Sequence, residues 1–571
     1  MKRNTKFAVV LALAFAVLPV TPQESRQDFS EVVDVRLVNV DVFVNDRDGN
    51  PVTGLTHDDF EVRVDGNTIE ISNFYPVDKR GGRRFEPRPV VEPTNEPAAG
   101  EPAAPEPKVP EAAEPIPAPQ PTWLVIYVDN ANIKALHRTR VLRDIRVFLR
   151  KHDRDFDQIL VASFEGSLHI RQPFTRDPEL VSQALLEVAD LQSFGDTEHD
   201  ELYELIRELE DQDLPRGWVT HRVEAYAQQR QNELRRALVP MRDLIDSIAG
   251  LDGHKALLYI SDGVPLNPGE ELFNGLQLRF EDVSLLSGIV HYTAVSEWEN
   301  LSMAASAAGV TFYTLDATGL TAPLAGSAEV IGSGVDNLRS TVGSVRTANL
   351  QAPLRKLAGE TGGVAILNSN RVDTKLERLA LDAGAYYSLG FHPPHARDGR
   401  FHDIKIRVQR KGVTVRHRNG YRDEPLDAQL ADLVKAGLRW NTHKNPLGLQ
   451  VRVSGAGSAE GDPSDRGTRV IAVELVVPLD AMQLVARDDQ LVGRLQAVLA
   501  VQDADGKDSP PQSLELPVTI PAGAYEKGRN QHYVHELDLR VRPGSQRIGV
   551  SMWDIFGQQA STAVARVSVG E

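Results

Sequence analysis

The sequence predicts an α/β protein: a doubly wound, mainly parallel sheet with a small β unit before it and a β-sandwich after it. Three observations predict this. Continuous apolar runs at 123–128, 158–164, 256–260 and 310–315 alternate with helical patterns, and three of them run into Asp129, Asp262 and Asp316; strands buried on both faces and joined by helices make a parallel sheet. Period-two strands with turn residues between them occupy the stretch before these runs. Strands punctuated by regular turn clusters follow them to the end of the chain. A length of 571 residues accommodates several domains, and 41% hydrophobic with 25% charged residues lets most of the chain form cores.

The chain opens with Lys2, Arg3 and Lys6 ahead of an apolar run from Phe7 to about Val20, then polar Gln23-Glu24-Ser25. That is the three-part form of a secretory signal, and the run falls short of the roughly 20 residues a membrane helix needs. A small-x-small cleavage motif is missing around Pro19-Val20-Thr21-Pro22, so residues 1–24 read as a signal peptide or an uncleaved N-terminal anchor. From 30 to 78, Val35 to Val44 is apolar on nearly both faces, Asp46-Arg47-Asp48-Gly49-Asn50-Pro51 supplies a turn, and Phe60 to Val64 runs into Asp65-Gly66-Asn67. Residues 79–121 then become rich in Pro, Ala and Glu, a composition that cannot bury a core and favours an extended spacer.

In the α/β segment, 122–424, the clearest helix start is Asp177-Pro178-Glu179, with a capping acid, proline at the first helical position and early negative charge. Residues 198–248 are helical in pattern, with breaks expected at Pro215-Arg216-Gly217 and Pro240. The stretch from Leu320 to about Asn349, rich in Gly and Ser, is expected to be a loose insertion. Strands resume at Tyr386 to Phe391, and Ile404 to Val408 is expected to form a hairpin with Val413 to Arg416 through Arg410-Lys411-Gly412. In 425–571 a helical segment leads into the alternating patterns Val470-Ala472-Glu474-Val476, Leu495-Ala497-Leu499-Val501 and Leu537-Leu539-Val541, expected to form the β-sandwich.

A strand ending in Asp129, then a helix, two closely spaced strands and a later strand ending in Ser261-Asp262-Gly263 resemble the von Willebrand factor A (VWA) domain. More narrowly, the chain resembles the VWA-related family of Acidobacteria. The residues that carry this are Gly54-Leu55-Thr56 and Asp59-Phe60, Gly253-His254-Lys255, Tyr313-Thr314-Leu315-Asp316, Leu357 to Gly363 and Tyr386 to Tyr421. The resemblance implies a metal-ion-dependent adhesion site at the carboxyl ends of the strands, with Mg²⁺ held by Asp129, Thr197 and Asp262. In the family an Asp-x-Ser-x-Ser loop supplies two further hydroxyls. Here it reads Asp129-Asn130-Ala131-Asn132-Ile133, and neither Ala131 nor Ile133 can ligate a hard cation. The other reading is that Asp129 and Asp262 only order turns at strand ends.

Two further acidic stretches, 46–50 and 503–508, lack the bidentate Glu of a calcium loop and read as turns. His392, His395 and His402 form a local group; Pro393 and Pro394 exclude a shared helix face, and surface imidazoles are the expectation over a transition-metal site. The absence of cysteine excludes disulfides, thiolate sites and lipoprotein acylation. A net charge of −17 argues against nucleic acid and anionic lipid as partners. No nucleophile elbow, phosphate loop or zinc-protease helix occurs. The expectation is an exported, non-catalytic protein, periplasmic, cell-surface or secreted, that binds a protein or cell-envelope ligand; the alternative is a metal-free structural or assembly component of the envelope.

Overall fold

The computed structural model describes residues 37–79, 120–192, 195–320, 334–395, 397–442, 444–457, 468–523, 525 and 531–570. The expected signal segment and nearly all of the expected spacer lie outside the described residues.

The first strands are β1 (Val38–Asn45), β2 (Phe60–Val64), β3 (Asn67–Ile69) and β4 (Asn73–Asp78). Next come β5 (Thr122–Asp129), α1 (Ala135–Lys151), β6 (Gln158–Phe164), β7 (Leu168–Thr175), α2 (Pro178–Ala189), α3 (Gly195–Glu210), α4 (Arg216–Ile248) and β8 (His254–Ser261). The α/β part continues through α5 (Glu270–Phe280), α6 (Ser287–His291), α7 (Val295–Ala307), β9 (Val310–Asp316), α8 (Gly334–Thr361), β10 (Ala365–Ile366) and α9 (Val372–Gly384). Four strands follow: β11 (Ala385–Phe391), β12 (Phe401–Val408), β13 (Thr414–Arg416) and β14 (Gly420–Arg422). After α10 (Leu426–Trp440) come β15 (Gln450–Gly457), β16 (Arg469–Pro478), β17 (Val485–Arg487), β18 (Gln490–Gln502), β19 (Gln512–Pro521), β20 (His532–Val541), β21 (Gly544–Asp554) and β22 (Gln559–Val569).

The central sheet has the order β10-β9-β8-β5-β6-β7. All of its pairs are parallel except β6 with β7, a hairpin whose turn uses Gly166 at φ +86. Every residue of β5, β8 and β9 is buried, because helices cover both faces. On one face α1, α2 and α9 bring Val141, Ile145, Leu185 and Leu376 onto Leu124 and Leu258. On the other, α4, α7 and α8 bring Ile245, Trp298 and Leu357 onto Val125 and Leu257. The expected cap of α2 is present, Asp177 Oδ1 accepting from Glu179 N at 2.9 Å.

The helix break expected at Pro240 does not occur. α4 runs unbroken through Pro240 and α8 through Pro353, each held by packing on both sides of its proline. Val219, Val223 and Tyr226 in α4 join a satellite core with Leu338 and Val342 of α8, while Leu234 to Ile248 and Leu354 to Leu357 pack on the sheet. The stretch expected to be loose is thus helical from Gly334 onward; 321–333 lies outside the described residues.

The strands between 38 and 78 share both of their sheets with those after Ala385. One sheet runs β13-β1-β11-β4 and the other β14-β12-β2-β3. Between them lies a core of Val40, Val42, Val62, Val64, Leu389, Phe391 and Ile404. The expected hairpin of β12 and β13 is corrected: Arg410-Lys411-Gly412 carries the chain from one sheet to the other, β12 pairing with β2 and β14 and β13 with β1. Val415 and Ile406 both need a buried face, and opposite sheets supply one to each. This sandwich packs at the amino-terminal edge of the central strands, where His254 Nδ1 meets Asp41 Oδ2 at 2.9 Å.

The last strands form a second sandwich, β15-β16-β20 against a sheet containing β17, β18, β19, β21 and β22. In β16 the buried face is Ile471, Val473, Leu475 and Val477, the parity opposite to the alternation read from the sequence. α10 covers β18 and β21 with Leu430, Val434 and Leu438, and its Trp440 Nε1 donates to Ser247 O of α4 at 2.9 Å.

Where α10 meets α4, Asp432 lies among Asp246, Glu424 and Lys435, the last at 3.5 Å. Burial, with the charges of Glu424 and Asp246, pushes its carboxyl up from 3.8 to about 7. A carboxyl whose folded pKa is raised destabilises the fold while ionised, above about pH 7, and that penalty disappears as pH falls through 7 toward 3.8. Asp432→Asn is therefore expected to raise the urea midpoint most at pH 8, by clearly less at pH 5, and hardly at all below pH 3.8. A midpoint raised equally at pH 8 and pH 5 would contradict this.

Candidate functional site

Strand order reverses between β5 and β8, and in open α/β sheets ligands bind outside the carboxyl ends of the strands at such a switch point. Asp129, Asp262 and Asp316 all stand at that edge, and the structure brings Asp129 and Asp262 together through one loop. Asn130–Asn132 forms a 3₁₀ turn; Asp262 N donates to Asn132 O at 2.9 Å, and Asn132 Nδ2 donates to both oxygens of Asp129 at 3.0 Å. Thr197 lies in α3, and its side chain is outside the described residues.

Asp129 is 2% exposed. Its Oδ2 also accepts from Tyr259 Oη at 2.6 Å and Ser261 Oγ at 3.3 Å. Burial raises its pKa, and these hydrogen bonds oppose the rise without cancelling it. Asp262 Oδ2 accepts from Lys134 N at 2.9 Å and faces His137 Nδ1 at 2.8 Å, whereas its Oδ1 is buried with no hydrogen-bond partner among the described residues. Asp316 accepts from Thr318 N at 3.0 Å and Gln351 Nε2 at 2.8 Å. Burial raises its pKa, and the charge of Asp262 adds to the rise.

The serine positions are filled otherwise. Ile133 is wholly buried in the core under α1, and Ala131 packs against the opposite core. Asn130 is held from both ends: its Nδ2 donates to Gln192 O at 2.8 Å, and buried Arg138 donates to its Oδ1 and, at 3.0 Å, to Ala189 O. Mg²⁺ requires about six oxygen ligands in near-octahedral array. What faces Asp129 instead is an amide N–H, a phenol and a hydroxyl, all donating. Among the described residues, the two serine hydroxyls that the family's loop would offer Mg²⁺ are missing.

Sequence reading missed Tyr259, His137, Gln351 and Arg138. Arg138 carried a signal: it lies three, four and seven residues before Val141, Leu142 and Ile145, on the buried stripe of α1. A charge on such a stripe must find partners inside. Gln351 and His137 are joined to the site by tertiary folding, and nothing local marks them.

No protein-family model and no curated protein matches the chain. Solved structures show distant likeness. An aerotolerance-related membrane protein from Bacteroides fragilis NCTC 9343, with multiple mutations to serines, is 12% identical, with 46% of this chain and 98% of that one covered and a TM-score of 0.21. The conserved hypothetical protein BatB from Bacteroides thetaiotaomicron is 10% identical over 46% of this chain and 98% of its own, with a TM-score of 0.20. The pilus adhesin SpaC of Lactobacillus rhamnosus GG is 8% identical, with 78% of this chain and 53% of the adhesin covered and a TM-score of 0.20. At such scores the fold and the site rest on the chain's own geometry. Among the described residues no helix is long and apolar enough to cross a membrane.

Proposed function

We propose that the chain is an exported, non-catalytic, VWA-like binding protein of the cell envelope that engages a protein partner at the carboxyl edge of β5, β8 and β9 without a divalent cation. The observation that carries this reading is what gathers at that edge: the Asp129 loop at the switch point, with Leu136 79% exposed just after β5 and Leu320 65% exposed just after β9. Large exposed apolar side chains beside a strand edge rich in polar groups suit protein recognition. With no cation to bridge, a partner carboxylate would be repelled by Asp262 and Asp316, and a partner presenting a hydrogen-bond donor beside apolar groups fits better.

The test places a photo-crosslinking residue at Leu136 in the full chain, in its native envelope. A discrete adduct is expected, lost on Leu320→Asp; a probe at Val147, exposed but further along α1, should give none. Equal labelling from both positions would sink the proposal. A separate expectation concerns the ion. Mg²⁺ or Mn²⁺ should leave the melting temperature unchanged, since a ligand selective for the native state must raise it. A rise abolished by Asp129→Ala would restore metal-mediated adhesion.

A second reading, a structural or assembly component of the envelope, is favoured by the saturation of Asp129 with internal donors. It predicts no adduct at Leu136 and no partner at this edge.

A further inference from the structure

A different cluster lies at one end of the first sandwich, remote in sequence from the Asp129 loop. Asp65 and Gly66 form the two-residue turn between β2 and β3, with Val64 paired to Asn67 and φ of +49 and +86, the conformation Asp-Gly adopts in tight hairpins. His395 follows Pro393 and Pro394 in the loop after β11, and His402 is the second residue of β12. One ligand atom from each of Asp65, His395 and His402 lies within 4.8 Å of the others. His402 Nδ1 is 2.7 Å and His395 Nε2 3.3 Å from the same oxygen, Asp65 Oδ2. The two imidazoles stack with centroids 4.0 Å apart and planes 13° apart.

We propose that Asp65, His395 and His402 form a site for one divalent transition ion of the Zn²⁺ class, with the fourth position open to water. Two imidazole nitrogens and one carboxylate oxygen select Zn²⁺-type ions over Mg²⁺ and Ca²⁺. Tetrahedral bonds of about 2.05 Å place ligand atoms about 3.3 Å apart. His395 and Asp65 already have that spacing, and His402 and Asp65 reach it by separating about 0.6 Å once the proton between them leaves. The surroundings already orient His402 and Asp65, while the His395 ring, stacked on His402, must turn to aim its in-plane lone pair at the same ion. Asp398 Oδ1 faces His402 Nε2 at 3.1 Å, the carboxylate partner that metal-bound imidazoles use to fix their free ring N–H. Asp403 N donates to Asp65 Oδ1 at 2.9 Å, leaving Oδ2 to face the histidines.

The ion would clasp a turn from the start of the chain to a loop and a strand more than 300 positions later. The surface reading of the three histidines holds for exposed His392; His402 is 5% exposed and built into the cluster.

The experiment titrates Zn²⁺, and Co²⁺ as a visible probe, into the EDTA-stripped full chain. One equivalent should bind, the melting temperature should rise, and Co²⁺ should give the intense visible absorption of a tetrahedral site. His395→Ala, in a partly exposed loop, should keep the metal-free melting temperature, weaken Zn²⁺ binding at least tenfold and abolish the rise. Asp398→Asn should weaken binding about 10–100-fold, and Asp129→Ala should leave it intact. No stoichiometric binding, or binding undiminished in His395→Ala, would overturn the proposal.

Discussion

Asp382→Ala is expected to destabilise the protein by about 3–5 kcal/mol, the loss that follows when one partner of a buried ion cluster is removed. Asp382, in α9, is 1% exposed. It accepts from Tyr313 Oη at 2.8 Å, from Arg416 Nη2 at 2.7 and 2.8 Å, and lies 3.2 Å from Arg378 Nε. Arg416 also donates to Gly362 O at 2.9 Å and lies 5.0 Å over the ring of Phe43. Burial would lower the Arg416 pKa, but Asp382 outweighs it and the net shift is upward. One carboxylate thus joins α9, β9 and the first sandwich. Without it two guanidiniums stay inside with no counter-charge. Asp382→Asn keeps the shape and an acceptor but not the charge; a midpoint near wild type for that variant in urea unfolding would show that the charge contributes little.

Trp298→Ala is expected to cost about 3–5 kcal/mol for a different reason, the cavity left by a large side chain. Trp298 is wholly buried between α7 and the sheet, in a cluster with Leu301, Val264 and Tyr259, and its Nε1 donates to Pro265 O at 3.4 Å. Because Tyr259 also donates to Asp129, loosened packing should reach the switch point. Near-ultraviolet circular dichroism of Trp298→Ala and Trp298→Phe would check this, the phenylalanine variant recovering most of the stability. An alanine variant as stable as the parent would mean that the neighbours collapse into the space.

The central sheet was legible because β5, β8 and β9 are buried on both faces and their composition says so without reference to anything distant. Helix ends were legible where local chemistry decides them, as at Asp177. Pro240 misled because the backbone penalty of proline is local while the packing that opposes it comes from the sheet and from α8. In β16 both parities are apolar, Val470, Ala472 and Val476 against Ile471, Val473 and Val477; only Glu474 discriminates, and it marks the outer face. At the candidate site the three aspartates were legible as strand ends. Their partners Tyr259, His137 and Gln351 were not, being brought in by elements far along the chain. Asp65 could not be grouped with His395 and His402 for the same reason.

The first sandwich has a consequence for the order of events during synthesis. β1 takes β11 as its neighbour, Val42 beside Tyr387, so the opening strands emerge some 340 residues before the strand they pair with. Until then Val40, Val42 and Val62 lack the half of their core that Leu389, Phe391 and Ile404 supply, and their strand edges stay open to other chains. Folding of the α/β part first would shorten the loop to be closed, because β5 and β9 would already hold its ends near one another. Pairing of the earliest strands should therefore be among the last steps of folding, and a nascent chain halted before Ala385 should be the species that most needs a chaperone.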